Sequence, residues 1–300
     1  MNSNKNSSRG RHQGKKKPQN SSKPGFNSKK KFAKNYRPKP IPKRNNPTSG
    51  EGSSGAKQLK QSNENDGIRL NKYISNSGIC SRREADVFIK AGSASVNGKL
   101  ITEMGFKVMP NDVVRFDGAT ISPEKKRYVL LNKPKNYITT MEDDRGRKTV
   151  MELVANASKE RIYPVGRLDR NTTGLLLFTN DGELAKKLTH PKYNIQKLYH
   201  ASLDKKLKMS DMQKIADGFN LDEKRVLVDE ISYIINQPKS EVGVKIHSGR
   251  NRIVRRIFEH FNYSVVKLDR VIFAGLTKKD LPRGHWRHLT ELEVSTLMML

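Results

Sequence analysis

The sequence predicts an α+β protein, on three observations. Apolar residues recur at helical spacing in two early stretches, the second opened by a capping signal. Short alternating runs joined by an Asn-Gly pair follow, as in a strand hairpin. Farther on, the continuous apolar run at 175–179 (LLLFT) suits a strand buried on both faces, and a helical stripe lies at Ile253, Val254, Ile257, Phe258 and Phe261. Three hundred residues, at roughly 150 per domain, point to about two domains.

The elements follow in order from Gly67. Leu70, Tyr73 and Ile74 form one face of a helix in IRLNKYISNSG, with Gly78 just past its end. Ser81 and Glu84 make a capping box, a hydroxyl for one orphan amide and a carboxylate reaching back for another. Ala85, Phe88 and Ile89 continue that helix until Gly92 stops it. Asn97-Gly98 supplies the two positive φ values of a tight hairpin between 93–96 and 99–101, and DVVRFD at 112–117 alternates as a short strand. Residues 122–126 (SPEKK) are a polar linker. A strand at 128–131 runs into Asn132-Lys133-Pro134, where proline ends regular pairing, and 136–160 is expected as loop and short helix. Asp181-Gly182 caps a helix carrying Leu184 and Leu188, and Trp286 is expected to pack a C-terminal turn.

Charge narrows the function. Lys and Arg number 59 against 30 Asp and Glu, a net of +29. Folding a core needs no such excess; it implies a polyanionic partner, with nucleic acid first and an anionic membrane face second. No apolar run approaches 18 residues, so no spanning helix is expected. The N-terminus has no apolar core of a secretory signal, and the lone Cys80 allows neither an internal disulfide nor a cysteine zinc cluster. A cytoplasmic protein without membrane association is expected. Residues 1–66 hold 17 Lys/Arg, three Asp/Glu and only eight apolar side chains, too little to offset backbone ordering at ~1–2 kcal/mol per residue. A disordered basic arm is expected there, serving either salt-sensitive phosphate affinity or solubility alone.

Two stretches carry candidate chemistry. Arg82 and Arg83 stand in a first helical turn, where acids suit the dipole better, and Lys72, Lys90 and Lys99 extend the basic face. Charge alone fits a solvated surface as well as a binding one. The stretch IRLNKYIS…CSRREADVFIKAGSASVNGK nevertheless resembles the S4-type RNA-binding module over residues 67 to about 119. That resemblance implies RNA contacts at Arg82, Arg83 and, in VNGK, Asn97 and Lys99, and Lys72 and Lys90 on the same basic face are expected to join them. In the second stretch, Asp169 stands between Arg167 and Arg170 before the buried run at 175–179. Neighbouring cations favour the ionised carboxylate, and a carboxylate with no second acid nearby suits a nucleophile better than a general acid. Organising a turn is the plain alternative for Asp169, as a half-buried strand position is for Tyr199.

GRLDRNTTGLLLFTNDGELAKKLTHP at 166–191 resembles the signature of the bacterial ribosomal pseudouridine synthases of the RsuA/RluB type. The likeness continues in order through LNKPKNYITT at 131–140, QKLY at 196–199, GRNRIVRRIFEHFNYSV at 249–265 and KLDRVIFAGLTKKDLPRGHWRHLTELE at 267–293. It implies an S4-like domain at 67–122 and a catalytic domain at 123–300, built on a mixed, mostly antiparallel sheet flanked by helices. It implies isomerisation of a uridine in ribosomal RNA, the large subunit before the small, with Asp169 as nucleophile. Arg167 would take the space vacated by a flipped base, Tyr199 would stack on uracil, and Arg255 would pair with Asp169. Lys197, Arg250 and Arg252 would contact RNA. No cofactor and no metal is expected, the partner is ribosomal RNA or a pre-ribosomal particle, and a monomer is expected. Two departures stand out: Ile253 where many relatives carry glutamine, and Lys267 where they carry arginine. A non-catalytic RNA-binding or assembly factor on the same fold would fit the charge equally well but leaves Asp169, Tyr199 and Arg255 together unexplained; a DNA- or membrane-surface binder driven by the arm is the third alternative.

Overall fold

The computed structural model describes residues 67–300; the basic arm expected over 1–66 lies outside the described residues. Helices Leu70–Asn76 and Arg82–Lys90 open the fold. The capping box forms: Ser81 Oγ accepts from the Glu84 amide at 3.3 Å, and the Glu84 carboxylate accepts from the Ser81 amide at 2.6 Å. Asn97 (φ 51°) and Gly98 (φ 80°) turn the hairpin as their types require. Its strands, Ala94–Val96 and Lys99–Leu100, join Val114–Phe116 and Ala119–Thr120 in a four-stranded antiparallel sheet. Leu70, Ile74, Ala85, Ile89, Ala94, Val96 and Val114 close over the buried Cys80.

Two details differ from expectation. Phe88 was expected on the core face, but it is 39% exposed and rests edge-on against Phe116, ring centroids 5.5 Å apart. Strands Ile68–Arg69 and Lys107–Val108 also pair, each too short to leave a periodic pattern in the sequence.

A nine-stranded sheet organises the rest. Its main path runs Glu230–Tyr233, Glu241–Ile246, Lys197–Leu203, Val265–Phe273, Thr172–Thr179, Tyr128–Lys133, Trp286–His288. Neighbours pair antiparallel except Val265–Phe273 with Thr172–Thr179, which are parallel, so the sheet is mixed and mostly antiparallel. All eight residues of Thr172–Thr179 are buried, because the sheet is covered on both faces. Leu176 and Phe178 pack with Val254, Ile257 and Phe258 on one face; Leu175 and Leu177 pack with Leu184, Leu188 and Phe273 on the other. Trp286 forms no terminal turn: it belongs to the edge strand, opposite Leu131, because that strand needs a partner for its outer backbone groups.

Gly174 sits where the parallel pairing closes, opposite Arg270. Its φ is +106°, and a Cβ there would lie 2.2 Å from the Arg270 carbonyl oxygen, so only glycine lets the two strands approach.

The polar linker is tied down on both sides. The Glu124 amide donates to the Asn76 carbonyl at 2.8 Å, and its carboxylate accepts from the Arg161 amide at 3.3 Å. Tyr73 Oη donates to the Ile121 carbonyl at 3.2 Å, and Lys72 Nζ meets Glu183 Oε1 at 2.6 Å. No helix among the described residues is long and apolar enough to cross a membrane.

Candidate active site

The sheet delivers the loop at 166–171 to the mouth of a cavity of about 570 Å³. Gly166 turns with φ +75°, Leu168 is buried as an anchor, and Asp169 between the exposed Arg167 and Arg170 is about a third exposed. Thr139 brackets the loop, its Oγ1 donating to the Leu168 carbonyl at 2.9 Å and accepting from the Leu168 amide at 3.2 Å.

Beneath the loop lies Lys133, fully buried. Its Nζ points at the carbonyls of Thr172 (2.9 Å), Pro134 (3.0 Å), Asp169 (3.2 Å) and Arg170 (3.3 Å). A cation that gathers four carbonyls inward fixes the backbone from which Asp169 projects. Burial drives the Lys133 pKa down to about 8, against the pull of the nearby Asp169 charge. Lys197, donating to the carbonyls of His247 (2.7 Å) and Ile195 (3.0 Å), is likewise pushed to about 8, first by burial and then by Arg270.

These shifts have a consequence for stability. Both lysines start from 10.5, so between pH 8 and 10.5 the unfolded chain binds more protons than the folded one. The pair therefore adds stability as pH rises through that window, and the gain is lost as pH falls back to about 8. Urea midpoints at about pH 8 and about pH 10 check this. The rise between them is expected to be smaller in Lys133→Met than in the unaltered chain; an equal rise in both proteins would exclude Lys133 as a source.

The carboxylate of Asp169 faces two cations, Arg252 Nη1 at 3.8 Å and Arg255 Nε at 4.0 Å. Its sequence neighbours Arg167 and Arg170 make no ion pair with it; the expected flanking cations are replaced by two from a distant segment. Helix Ile253–His260 presents Arg255 toward the site from within a row of buried Ile253, Val254, Ile257 and Phe258. Arg255 Nη1 is anchored on the Val265 carbonyl at 2.6 Å, while its buried Nε has no hydrogen-bond partner. Arg252 precedes the helix in a left-handed conformation (φ 49°), which swings its side chain between Asp169 and Glu259, the latter at 3.4 Å. Ile253, at the position where glutamine was expected, is buried and lines the cavity with an apolar surface.

Tyr199 is buried, sits opposite Arg270 across the strand pair, and lines the same cavity as Asp169, Lys197, Arg250 and Arg252. The cavity's other carboxylate, Asp143, is committed: hydrogen bonds from Arg147 hold it at about 2. Asp169 accepts no hydrogen bond on its carboxylate among the described residues.

The residues expected on the small domain distribute differently. Arg83, Lys90 and Lys99 are exposed. Lys72 is engaged with Glu183, and Asn97 is tied to Asp112 (2.8 Å) and to the Val113 amide (2.9 Å). Arg82 reaches Gly182 at the start of a helix on the large sheet. Sequence reading missed Lys133, Thr139 and Arg270. The signal for Lys133 was present, a lysine ending an otherwise apolar strand just before proline; Arg270 left none.

A fold of this kind, with a basic accessory domain and an uncommitted carboxylate set among arginines and a tyrosine, defines an RNA-modifying enzyme. The chain belongs to the RNA pseudouridylate synthase family: that family's model matches residues 127–260, and an S4 domain model matches residues 68–114. It is 41% identical over 235 residues to ribosomal large subunit pseudouridine synthase B of Bacillus subtilis, covering 77% of this chain and 96% of that protein. It is 36% identical over 240 residues to the dual-specificity RNA pseudouridine synthase RluF of Escherichia coli, covering 78% of this chain and 79% of that one. A crystal structure of a pseudouridylate synthase superposes with a TM-score of 0.54 at 25% identity, covering 77% of this chain and 99% of the other.

Proposed function

We propose that the chain isomerises a uridine of large-subunit ribosomal RNA to pseudouridine, with Asp169 as the nucleophile. The observation that carries this is the Asp169 carboxylate itself, which accepts no hydrogen bond among the described residues, at a cavity it shares with Tyr199 and facing Arg252 and Arg255. The reaction breaks the N1–C1′ bond, turns the base and joins C5 to C1′; C5 gives up a proton and N1 gains one, so nothing is consumed. The base must leave its stack to reach the cavity. Tyr199 offers a ring against uracil, worth ~1–3 kcal/mol per stacked base. Arg167, exposed at the mouth, is placed to fill the gap left in the RNA, and Arg250 and Arg252 meet its backbone, while Lys197, held by the His247 and Ile195 carbonyls, lines the cavity wall. Residues 67–122 act as the clamp and 123–300 as the catalytic domain. Arg82, Arg83, Lys90 and Lys99 offer the clamp's cations, while Lys72 and Asn97 serve the architecture that holds it. The enzyme works as a cytoplasmic monomer without cofactor or metal.

Mapping pseudouridines in ribosomal RNA from cells with and without the gene tests the assignment. One large-subunit position is expected to revert to uridine; an unchanged map in both subunits would overturn it.

Arg255 separates geometry from charge. Arg255→Lys keeps a cation but cannot both hold the Val265 carbonyl and face Asp169. Single-turnover rates are expected to fall about 10²–10³-fold, with RNA affinity within about twofold. Equal losses in affinity and rate would make Arg255 a binding residue instead.

A further inference from the structure

Arg270 lies deep beside the cavity, only 3% exposed, and lines it together with Thr172, Lys197, Leu268 and Phe273. Its Nε donates to the Leu175 carbonyl at 2.8 Å, and its guanidinium lies over the Phe273 ring, 4.5 Å from the centroid. That fixes the plane and leaves Nη2 buried with no hydrogen-bond partner among the described residues. Thr172 Oγ1, on the adjacent strand, is also buried and unpartnered. Leaving a buried donor unmade costs ~1–3 kcal/mol, more for a charged group, so two such groups bordering one cavity call for a partner that arrives from outside.

We infer that Arg270 reads the target base, its free Nη2–H donating to a carbonyl oxygen of the uracil ring while Thr172 completes the polar edge. The inference rests on the cavity being the uridine site. Burial favours a base over a phosphate here: exposed Arg167, Arg170, Arg250 and Arg252 ring the mouth where a hydrated polyanion can reach. Arg270 instead stands among Val165, Leu188, Leu268 and Phe273, surfaces suited to a flat ring. Both groups are closed to water, so the base engages them only with a small shift of the cavity wall as it settles beside Tyr199. Paired with the C4 oxygen, a guanidinium donor also discriminates: uracil presents an acceptor there, where cytosine presents an amino group, itself a donor. As the ring acquires negative charge on leaving C1′, the same bond strengthens, so the residue contributes to rate as well as choice.

The test replaces single oxygens. Ribosomal RNA fragments carrying uridine, 2-thiouridine or 4-thiouridine at the mapped position are given to the unaltered chain and to Arg270→Met. In the unaltered chain one thio substitution is expected to slow single-turnover isomerisation about tenfold. In Arg270→Met the uridine substrate is already slowed by a similar factor, and the same thio substitution adds less than about twofold. Penalties that multiply in full would overturn the inference, as would an unaltered chain that treats both thio RNAs like uridine. Should Arg270→Met fail to fold by circular dichroism, Arg270→Lys is read in the same way. Failure of the uridine-site reading looks different: the unaltered chain would then leave plain uridine RNA unconverted.

Discussion

Asp169→Asn is expected to bring pseudouridine formation to background, a loss of at least about 10⁴-fold, while RNA affinity stays within about twofold. The amide is nearly isosteric with the carboxylate and cannot add to the nucleotide. The loop itself does not depend on that side chain: its fixed points are the Lys133 ammonium on four carbonyls, the Thr139 clasp and the buried Leu168. The partners of the carboxylate, Arg252 and Arg255, are held by Glu259 and by the Val265 carbonyl, so the substitution frees neither to collapse. Release of tritium from RNA labelled at uracil C5, measured beside filter-binding affinity, gives the answer. Retained release would remove Asp169 from the chemistry; lost binding would make it an organiser of the loop.

Lys133→Met is expected to cost about 2–3 kcal/mol of stability at neutral pH and to slow turnover about 10–100-fold. Two effects oppose each other. Methionine removes a buried cation whose desolvation is unfavourable, which by itself would stabilise. Yet the ammonium holds its proton to about pH 8, where the nearby Asp169 charge works against the burial. Removing it takes that shared donor from the carbonyls of Pro134 and Thr172, while those of Asp169 and Arg170 keep the Thr172 and Asn136 amides. The loss at the first two, with the loosened loop, outweighs the relieved desolvation. Urea denaturation reads the stability and single-turnover kinetics the rate; a variant as stable and as fast as the unaltered chain would show the cage to be dispensable.

Local chemistry made much of this legible beforehand. The capping box at Ser81, the Asn97-Gly98 hairpin, the Asp181 cap and the buried strand ahead of Asn180 each depend on residues within a few positions of one another. Asp169, Tyr199 and Arg255 could be singled out because each stands in its own ordered motif. The small domain's basic face was visible too, though the duties of Lys72 and Asn97 were not, since Glu183 lies 111 residues from the first and Asp112 15 from the second.

Contacts across long separations were beyond any local pattern. The cations on Asp169 come from about 80 residues away rather than from Arg167 and Arg170 beside it. A tight loop turns consecutive long side chains apart, while a helix docked on the core can bring a guanidinium to the centre. Arg270 reads in the chain as one more basic residue, and Trp286 as part of a terminal turn. Their burial follows from strand order, which sets Val265–Phe273 against Thr172–Thr179 and Trp286–His288 against Tyr128–Lys133. The chain alone thus specified the capped helices, the Asn97-Gly98 hairpin, the buried strand at 172–179 and the candidate acid at 169. Which cations face that acid, and which donors border the cavity without a partner, depended on how the sheet closes, because an electrostatic environment is a property of distances in space.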